Sequence, residues 1–280
     1  MIVGLDMGGT HVDAVLIHQG EIIEATKRPT DRSNMLQSIL DTLESLLSGQ
    51  DPSRIERINL STTISTNAIV ENKTDPVGMI IQCGPGLEKD FLRCGRENIF
   101  LSGYIDHRGR EVSSIDIAEI EEAARVFKDR NISALAVVGK FSVRNNAHEL
   151  KIKEMLENEF FPITLGHSLS GKLNFPRRVF TAYYNSAVYN IFYKFCESIH
   201  QAMQRQNIKA PVHVLKADGG TMSMKAGQQF PVYTILSGPA ASVMGGQAFL
   251  KTSQDAVFLD IGGTTTDISF LADGVPLLEP

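Results

Sequence analysis

One octapeptide pattern occurs twice in this chain, and it constrains the fold more than any other feature. Asp6-Met7-Gly8-Gly9-Thr10-His11-Val12-Asp13 returns as Asp260-Ile261-Gly262-Gly263-Thr264-Thr265-Thr266-Asp267, both reading D-x-G-G-T-x-x-D. Apolar runs flank each copy, Ile2 to Leu5 and Ala14 to Ile17 around the first, Ala256 to Leu259 and Ile268 to Ala272 around the second. Gly20 and Gly274 each lie fourteen residues after the leading Asp. The pattern predicts two β-hairpins turning at the Gly-Gly pair, where positive φ carries no Cβ clash. Such a turn exposes backbone N–H groups that suit a phosphate. An Asp at the end of the first strand can hold Mg²⁺, usually through water, and a Thr hydroxyl can donate to a phosphoryl oxygen. Facing turns would grip a triphosphate from both sides; ordinary hairpins are the plainer alternative.

The chain has 280 residues, 42% of them hydrophobic, enough for a sizeable core. It contains no eighteen-residue apolar run and no signal-peptide pattern, so a cytoplasmic protein without a membrane partner is expected. Cys83, Cys94 and Cys196 show no metal-type spacing and read as packing residues of a reducing compartment. A net charge of −5, with basic residues scattered, offers no footprint for nucleic acid.

Residues 1–62 read as three strands (Ile2 to Asp6, Val12 to His18, Glu21 to Lys27), a helix with its stripe from Met35 to Leu47, and a strand Ile55 to Leu60 parallel to the first. That β-β-β-α-β order is the opening of a ribonuclease-H-like layer. Strands and helices then alternate from Asp75 to about Leu169, an additional α/β layer. A long helix is expected from about Arg177 to Asn207, with Phe180, Tyr184, Ile191, Phe195, Ile199 and Met203 on its stripe and Asn185 among the polar positions. Leu236-Ser237-Gly238-Pro239-Ala240-Ala241 opens another helix, capped by Ser237 or Gly238. Its face of Ala240, Ala241, Gly245 and Gly246 leaves room for a second helix to pack very close. The resulting division is 1–74, 75–170, 171–252 and 253–280.

Together these segments resemble the actin-like ATPase superfamily, and within it the hydantoinase/oxoprolinase family. The resemblance rests on Asp6 to Asp13, on Ser61-Thr62-Thr63-Ile64-Ser65-Thr66-Asn67-Ala68-Ile69-Val70-Glu71 (similar to T-T-x-x-T-N-A), on Ala217 to Ser223 with Leu236 to Ala241, and on Asp260 to Asp267. His11-Val12 departs from the family's Phe-Thr pair. Across Asn174 to Ser186 only Arg178, Thr181 and Asn185 keep the family's residues. The resemblance implies an α/β fold: a ribonuclease-H-like, actin-type ATPase lobe with an additional α/β subdomain, the second lobe truncated after its first hairpin. It further implies ATP-dependent opening of a cyclic amide such as a hydantoin or 5-oxoproline through a phosphorylated intermediate, with ATP and Mg²⁺ as cofactors. Gly8, Gly9, Thr10, Gly262, Gly263, Thr264 and Gly238 would hold the nucleotide. Asp6 and Asp260 would hold the metal or orient an attacking group, and Thr63, Thr66 and Asn67 would face the substrate. Asp13 and Asp267 are expected either to join that chemistry or to bond the hairpin backbone. A second subunit or a further lobe is the implied partner, and weak or no turnover is expected of the chain alone. A small-molecule kinase and a non-catalytic nucleotide-dependent interaction subunit are the competing readings; neither Walker A nor G-x-G-x-x-G occurs.

Overall fold

The computed structural model describes residues 1–250, 254–261 and 266–277. The chain separates into two compact units, one of residues 1–72 and 191–280, the other of residues 73–190.

The first unit opens with β1 (Ile2–Met7), β2 (His11–His18) and β3 (Glu21–Pro29), an antiparallel meander. Gln19 and Gly20, at φ of 53° and 87°, make the tight β2–β3 turn, where positive φ at both positions matches the strand twist. Helix α1 (Met35–Leu46) is capped by the Asn34 side chain, which accepts from the Gln37 N–H, and leads to β4 (Arg57–Thr62), parallel to β1. A short helix α2 (Ile64–Val70) follows directly.

In the second unit, β5 (Val77–Gln82), β6 (Glu97–Phe100), β9 (Ala134–Gly139) and β10 (Ile163–Leu165) form a wholly parallel sheet in the order β10-β9-β5-β6. Every residue of β5 and β9 is buried, as both faces are covered. A small ribbon of β7 (Tyr104–Ile105) and β8 (Glu111–Ser113) sits apart from that sheet. Helices α3 (Ile117–Asp129) and α4 (Ala147–Leu156) add Ile120, Phe127, Ile152 and Leu156 to the core. After α5 (Gly166–Leu169) comes the long α6 (Phe175–Arg205), whose residues divide between the units.

Two readings of α6 change. Asn185 is buried, with its Nδ2 donating to Thr164 Oγ1, while Phe180, Tyr184 and Ile191 are only half-buried. The buried face instead runs through Val179, Ala182, Ser186, Phe192, Phe195 and Ile199. Asn185 and Ser186 are held inside by polar partners, which apolar periodicity does not register.

The first unit resumes with β11 (Val212–Leu215), β12 (Thr221–Ser223), α7 (Met224–Gln229) and α8 (Ser237–Leu250). Its six-stranded sheet has the order β12-β11-β4-β1-β2-β3. One face of that sheet, with Val3, Leu5, Val12, Leu16, Leu60 and Val214, packs on Ile39 and Leu43 of α1 and Phe192 and Phe195 of α6. The other face carries Gly4, Asp6, Asp13, Lys27, Asn59 and Ser61 and borders a cavity. A separate sheet of β13 (Ala256–Ile261), β14 (Thr266–Ala272) and β15 (Val275–Pro276) completes the described chain. Asp273 and Gly274, at φ of 50° and 76°, repeat the turn of Gln19 and Gly20.

Candidate functional site

The sequence repeat is also a repeat of register. Asp6 faces Asp13 across β1 and β2, and Asp260 faces Asp267 across β13 and β14. In the first turn, Gly8 and Gly9 do not take positive φ, contrary to the expectation from the sequence. Their smallness answers to neighbours instead. A Cβ on Gly8 would stand 3.2 Å from the His11 carbonyl, and one on Gly9 would stand 3.0 Å from both Arg32 Nη2 and Asn67 Nδ2.

Every carbonyl of this turn has a partner. Met7 C=O accepts from Thr63 N–H and the Thr62 hydroxyl, at 3.2 and 3.1 Å. Gly8 C=O accepts from the Thr30 hydroxyl at 3.2 Å, Gly9 C=O from Arg32 Nε at 3.1 Å, and Thr10 C=O from Thr30 N–H at 2.8 Å. The N–H groups of Gly9 and Thr10 bond to nothing among the described residues. Because a trans peptide directs its C=O and N–H to opposite sides, tying down these carbonyls turns the two amides outward. The Thr10 hydroxyl lies 3.1 Å from His11 Nδ1. Gly262, Gly263 and Thr264, the matching residues of the second turn, lie outside the described residues.

Beneath the first turn, the cavity of about 690 Å³ is lined by Asp6, Asp13, Lys27, Ser61, Ala241, Met244 and Gly245 among others. Among the described residues, the buried Asp6 Oδ1 and Ser61 Oγ have no hydrogen-bond partner of good geometry, although Ser61 lies near enough to lower the Asp6 pKa. Burial wins over that effect, and with the negative charges of Asp13 and Asp260 it holds the Asp6 carboxyl above its ordinary range. The Asp260 side chain is thus within electrostatic reach of Asp6. Asp260 accepts a hydrogen bond from Ser242 Oγ at 2.5 Å, and Asp267 is raised in its turn by burial first and by Asp260 second. Asp13 is not used to bond hairpin backbone. Its carboxylate takes Lys27 Nζ at 2.9 and 3.0 Å, the cross-strand partner on β3. No group of three or more His, Cys, Asp or Glu side chains suited to a metal occurs among the described residues.

Thr63, Thr66 and Asn67 sit at the start of α2, close under the turn. Asn67 Nδ2 donates to Thr63 Oγ1 at 3.1 Å, and Thr66 Oγ1 accepts from the N–H of Leu236 at 3.0 Å. Ser237 Oγ donates to Thr62 C=O, and a Cβ on Gly238 would touch Thr63 Cγ2 at 3.0 Å. Gly9, Asn67, Thr63 and Gly238 therefore form one continuous cluster joining the first turn to the start of α8. Among the described residues the glycines of α8 face no second helix: Gly246 is closed by the Phe258 ring of β13, and a Cβ there would overlap it. Gly245 faces open space on the cavity side.

Arg32 and Thr30 carry no signal in the sequence, since Pro29-Thr30-Asp31-Arg32 looks like any loop. The residues retained from the family pattern serve the second unit. Arg178, fully buried, donates to the carbonyls of Gly139, Lys140 and Lys172, and Thr181 Oγ1 donates to Arg177 C=O. The three cysteines are free; Cys83 and Cys196 are buried, and burial pushes the thiols of Cys94 and Cys196 up to about 12. No described helix is long and apolar enough to cross a membrane.

The fold defines a mixed α/β protein of the class found in two solved ATP-dependent enzymes. A nucleotide-free acetone carboxylase superposes with a TM-score of 0.86 at 19% identity, over 98% of this chain and 44% of that one. The ATP-dependent caprolactamase of Pseudomonas jessenii superposes with a TM-score of 0.77 at 23% identity, over 96% of this chain and 43% of that one. The chain belongs to the hydantoinase/oxoprolinase family: residues 2–160 match its N-terminal region and residues 178–280 the hydantoinase/oxoprolinase profile proper. The caprolactamase subunit alpha of Pseudomonas jessenii is 25% identical over 305 aligned positions, 97% of this chain and 43% of that subunit. The chain thus spans less than half the length of these relatives.

Proposed function

We propose that this chain supplies the first phosphate-binding half of an ATP-dependent cyclic amide hydrolase. The observation that carries the reading is the pair of outward N–H groups at Gly9 and Thr10, set in a turn whose carbonyls are all occupied. Adjacent free amides suit the oxygens of a β- or γ-phosphate. The strand order β3-β2-β1-β4-β11, with α8 leading to a second hairpin of identical register, supports an actin-type ATPase lobe of ribonuclease-H-like layout. Gly262, Gly263 and Thr264 would meet the same nucleotide from the other side, with Gly238 at the helix between them. Residues 75–170 are the added α/β subdomain in this reading.

Asp6 fits a role toward Mg²⁺. Its buried Oδ1 has no partner among the described residues, and Asp260 brings a second carboxylate within electrostatic reach. Two carboxylates plus phosphate oxygens and water are a common Mg²⁺ set, so a three-residue protein cluster, which does not occur among the described residues, is not required. Bound there, the ion would neutralise charge on the phosphates. Asp6 and Asp260 would hold it, Ser242 would fix Asp260, and Lys27 would offset the charge of Asp13.

Caprolactam and 5-oxoproline are cyclic amides, and amide resonance makes direct attack by water slow. In the proposed reaction the carbonyl oxygen takes the γ-phosphoryl group and ADP leaves. Water adds to the activated carbon, the ring C–N bond breaks as nitrogen gains a proton, and hydrolysis of the acyl phosphate releases phosphate and a ring-opened acid. The chain's part is positioning and charge stabilisation. Thr63 and Asn67, beside Gly9, are the candidates for the substrate side, with Thr66 bracing them through Leu236.

A face of β13 to β15 with Val257, Leu259, Ile261, Ile268 and Phe270 is exposed. An apolar surface of that kind supports a further lobe or subunit as partner. The test is turnover of ATP with hydantoin, 5-oxoproline and caprolactam, and separately with a ketone plus bicarbonate, by the native protein and any subunit that co-purifies with it. Phosphate plus a ring-opened acid supports the hydrolase. A stable phosphorylated product would make it a small-molecule kinase, and a carboxylated ketone with no amide turnover would make it a carboxylase.

A further inference from the structure

The turn that carries the proposed phosphate site is not self-supporting. Glycine at position 9 leaves the peptide between Gly9 and Thr10 free to rotate, since no side chain restricts it. Arg32 restrains it. The guanidinium donates Nε–H to the Gly9 carbonyl at 3.1 Å, and Nη1 holds both oxygens of Glu71, at 2.9 and 3.2 Å, at the end of α2. Side-chain exposures of 52% for Arg32 and 32% for Glu71 leave this pair about 1 kcal/mol of stability at most. Its geometry is better explained by what it does to the turn. With the carbonyl held, the Thr10 N–H of the same planar peptide must face the other way, the side on which a bound phosphate would sit in the proposed function.

We propose that Arg32 is a positioning residue for phosphate recognition, acting through the Gly9–Thr10 peptide and fixed in place by Glu71. This rests on the reading of the first turn as a phosphate site. Arg32 has no contact with the nucleotide in this scheme, and its contribution is to keep the Thr10 amide aimed before binding. Lysine would keep the charge but lose the fork that bonds a carbonyl and a carboxylate together.

The test is a titration of the ¹⁵N-labelled chain with the ATP analogue AMP-PNP and MgCl₂, following affinity and the amide signals of Gly9 and Thr10. Arg32→Ala should weaken binding about tenfold, as expected for one charge-assisted hydrogen bond, and erase the shift of the Thr10 amide while leaving Tm nearly unchanged. Arg32→Lys should recover only part of the affinity, and Glu71→Gln should fall between Lys and wild type. Binding by Arg32→Ala within twofold of wild type would overturn the proposal. So would a tenfold loss with the Thr10 shift intact, which would mean direct charge contact instead. A wild-type chain that binds no analogue, or binds it without moving Gly9 or Thr10, would overturn the phosphate-site reading itself and the Arg32 proposal with it.

Discussion

Ser242 Oγ donates a 2.5 Å hydrogen bond to the carboxylate of Asp260, tying the small-residue helix α8 to the second hairpin. A hydroxyl this close to a carboxylate is a charge-assisted contact. It orients Asp260 in the same region where Asp6 senses its charge.

Ser242→Ala should therefore loosen Asp260 without removing it. Because the contact is exposed, the stability loss should be about 1 kcal/mol, and Mn²⁺-supported nucleotide affinity should fall several-fold. Asp260→Ala should abolish the metal dependence. Isothermal titration with and without Mn²⁺ separates the two; equal affinities for wild type and Asp260→Ala would remove Asp260 from the metal site.

The raised pKa of Asp6 gives its expected pH dependence a definite sign. Its folded-state pKa is raised, mainly by burial, so the folded chain holds this proton more tightly than the unfolded chain. The stability associated with the protonated form is present below the ordinary aspartate value of 3.8 and declines as pH rises through the folded value. Asp6→Asn removes that decline. Without Mg²⁺ the variant should melt higher than wild type at pH 7, the gap closing toward pH 4, while losing Mg²⁺-dependent nucleotide binding. Thermal melts across pH 4 to 8 check this, and a variant less stable than wild type at pH 7 would contradict it.

Gly246→Ala tests the seat of the second hairpin. Alanine favours a helix by about 1 kcal/mol over glycine, but here its methyl would overlap the Phe258 ring. Overpacking should win, with net destabilisation of about 1 kcal/mol or more and faster hydrogen exchange in β13 and β14. Gly245→Ala, facing open space, should be neutral or stabilising.

Arg178→Met should destabilise the second unit by about 3 kcal/mol or more, because three carbonyls lose their donor inside the fold. Burial lowers the Arg178 pKa and the nearby Glu149 charge opposes that, so Glu149→Gln should cost stability as well. Chemical denaturation monitors both, and an unchanged midpoint for Arg178→Met would refute the structural role.

Much of the fold was legible because its signals are periodic. The β1-β2-β3-α1-β4 order and the parallel β1–β4 pairing follow from alternation and from helical spacing. Elements α2, β6, β7 and β12 were not legible, being too short for a period to show. The first Gly-Gly turn forms where the sequence places it, but for a different reason. Its glycines are there for close neighbours, Arg32 and Asn67 at Gly9, and not for positive φ. Those neighbours come from the loop after β3 and from α2, a convergence that exists only once the sheet has formed. Asn185 was misjudged in the same way, since its burial depends on Thr164, twenty-one residues away.

The most direct measurement is a crystal structure of the chain with AMP-PNP and Mn²⁺, the metal located by its anomalous signal. The account predicts a phosphate oxygen within hydrogen-bond distance of both Gly9 N–H and Thr10 N–H, with the metal on the Asp6 side of the same phosphates. A nucleotide bound elsewhere in the chain, with those two amides still open to solvent, would contradict it.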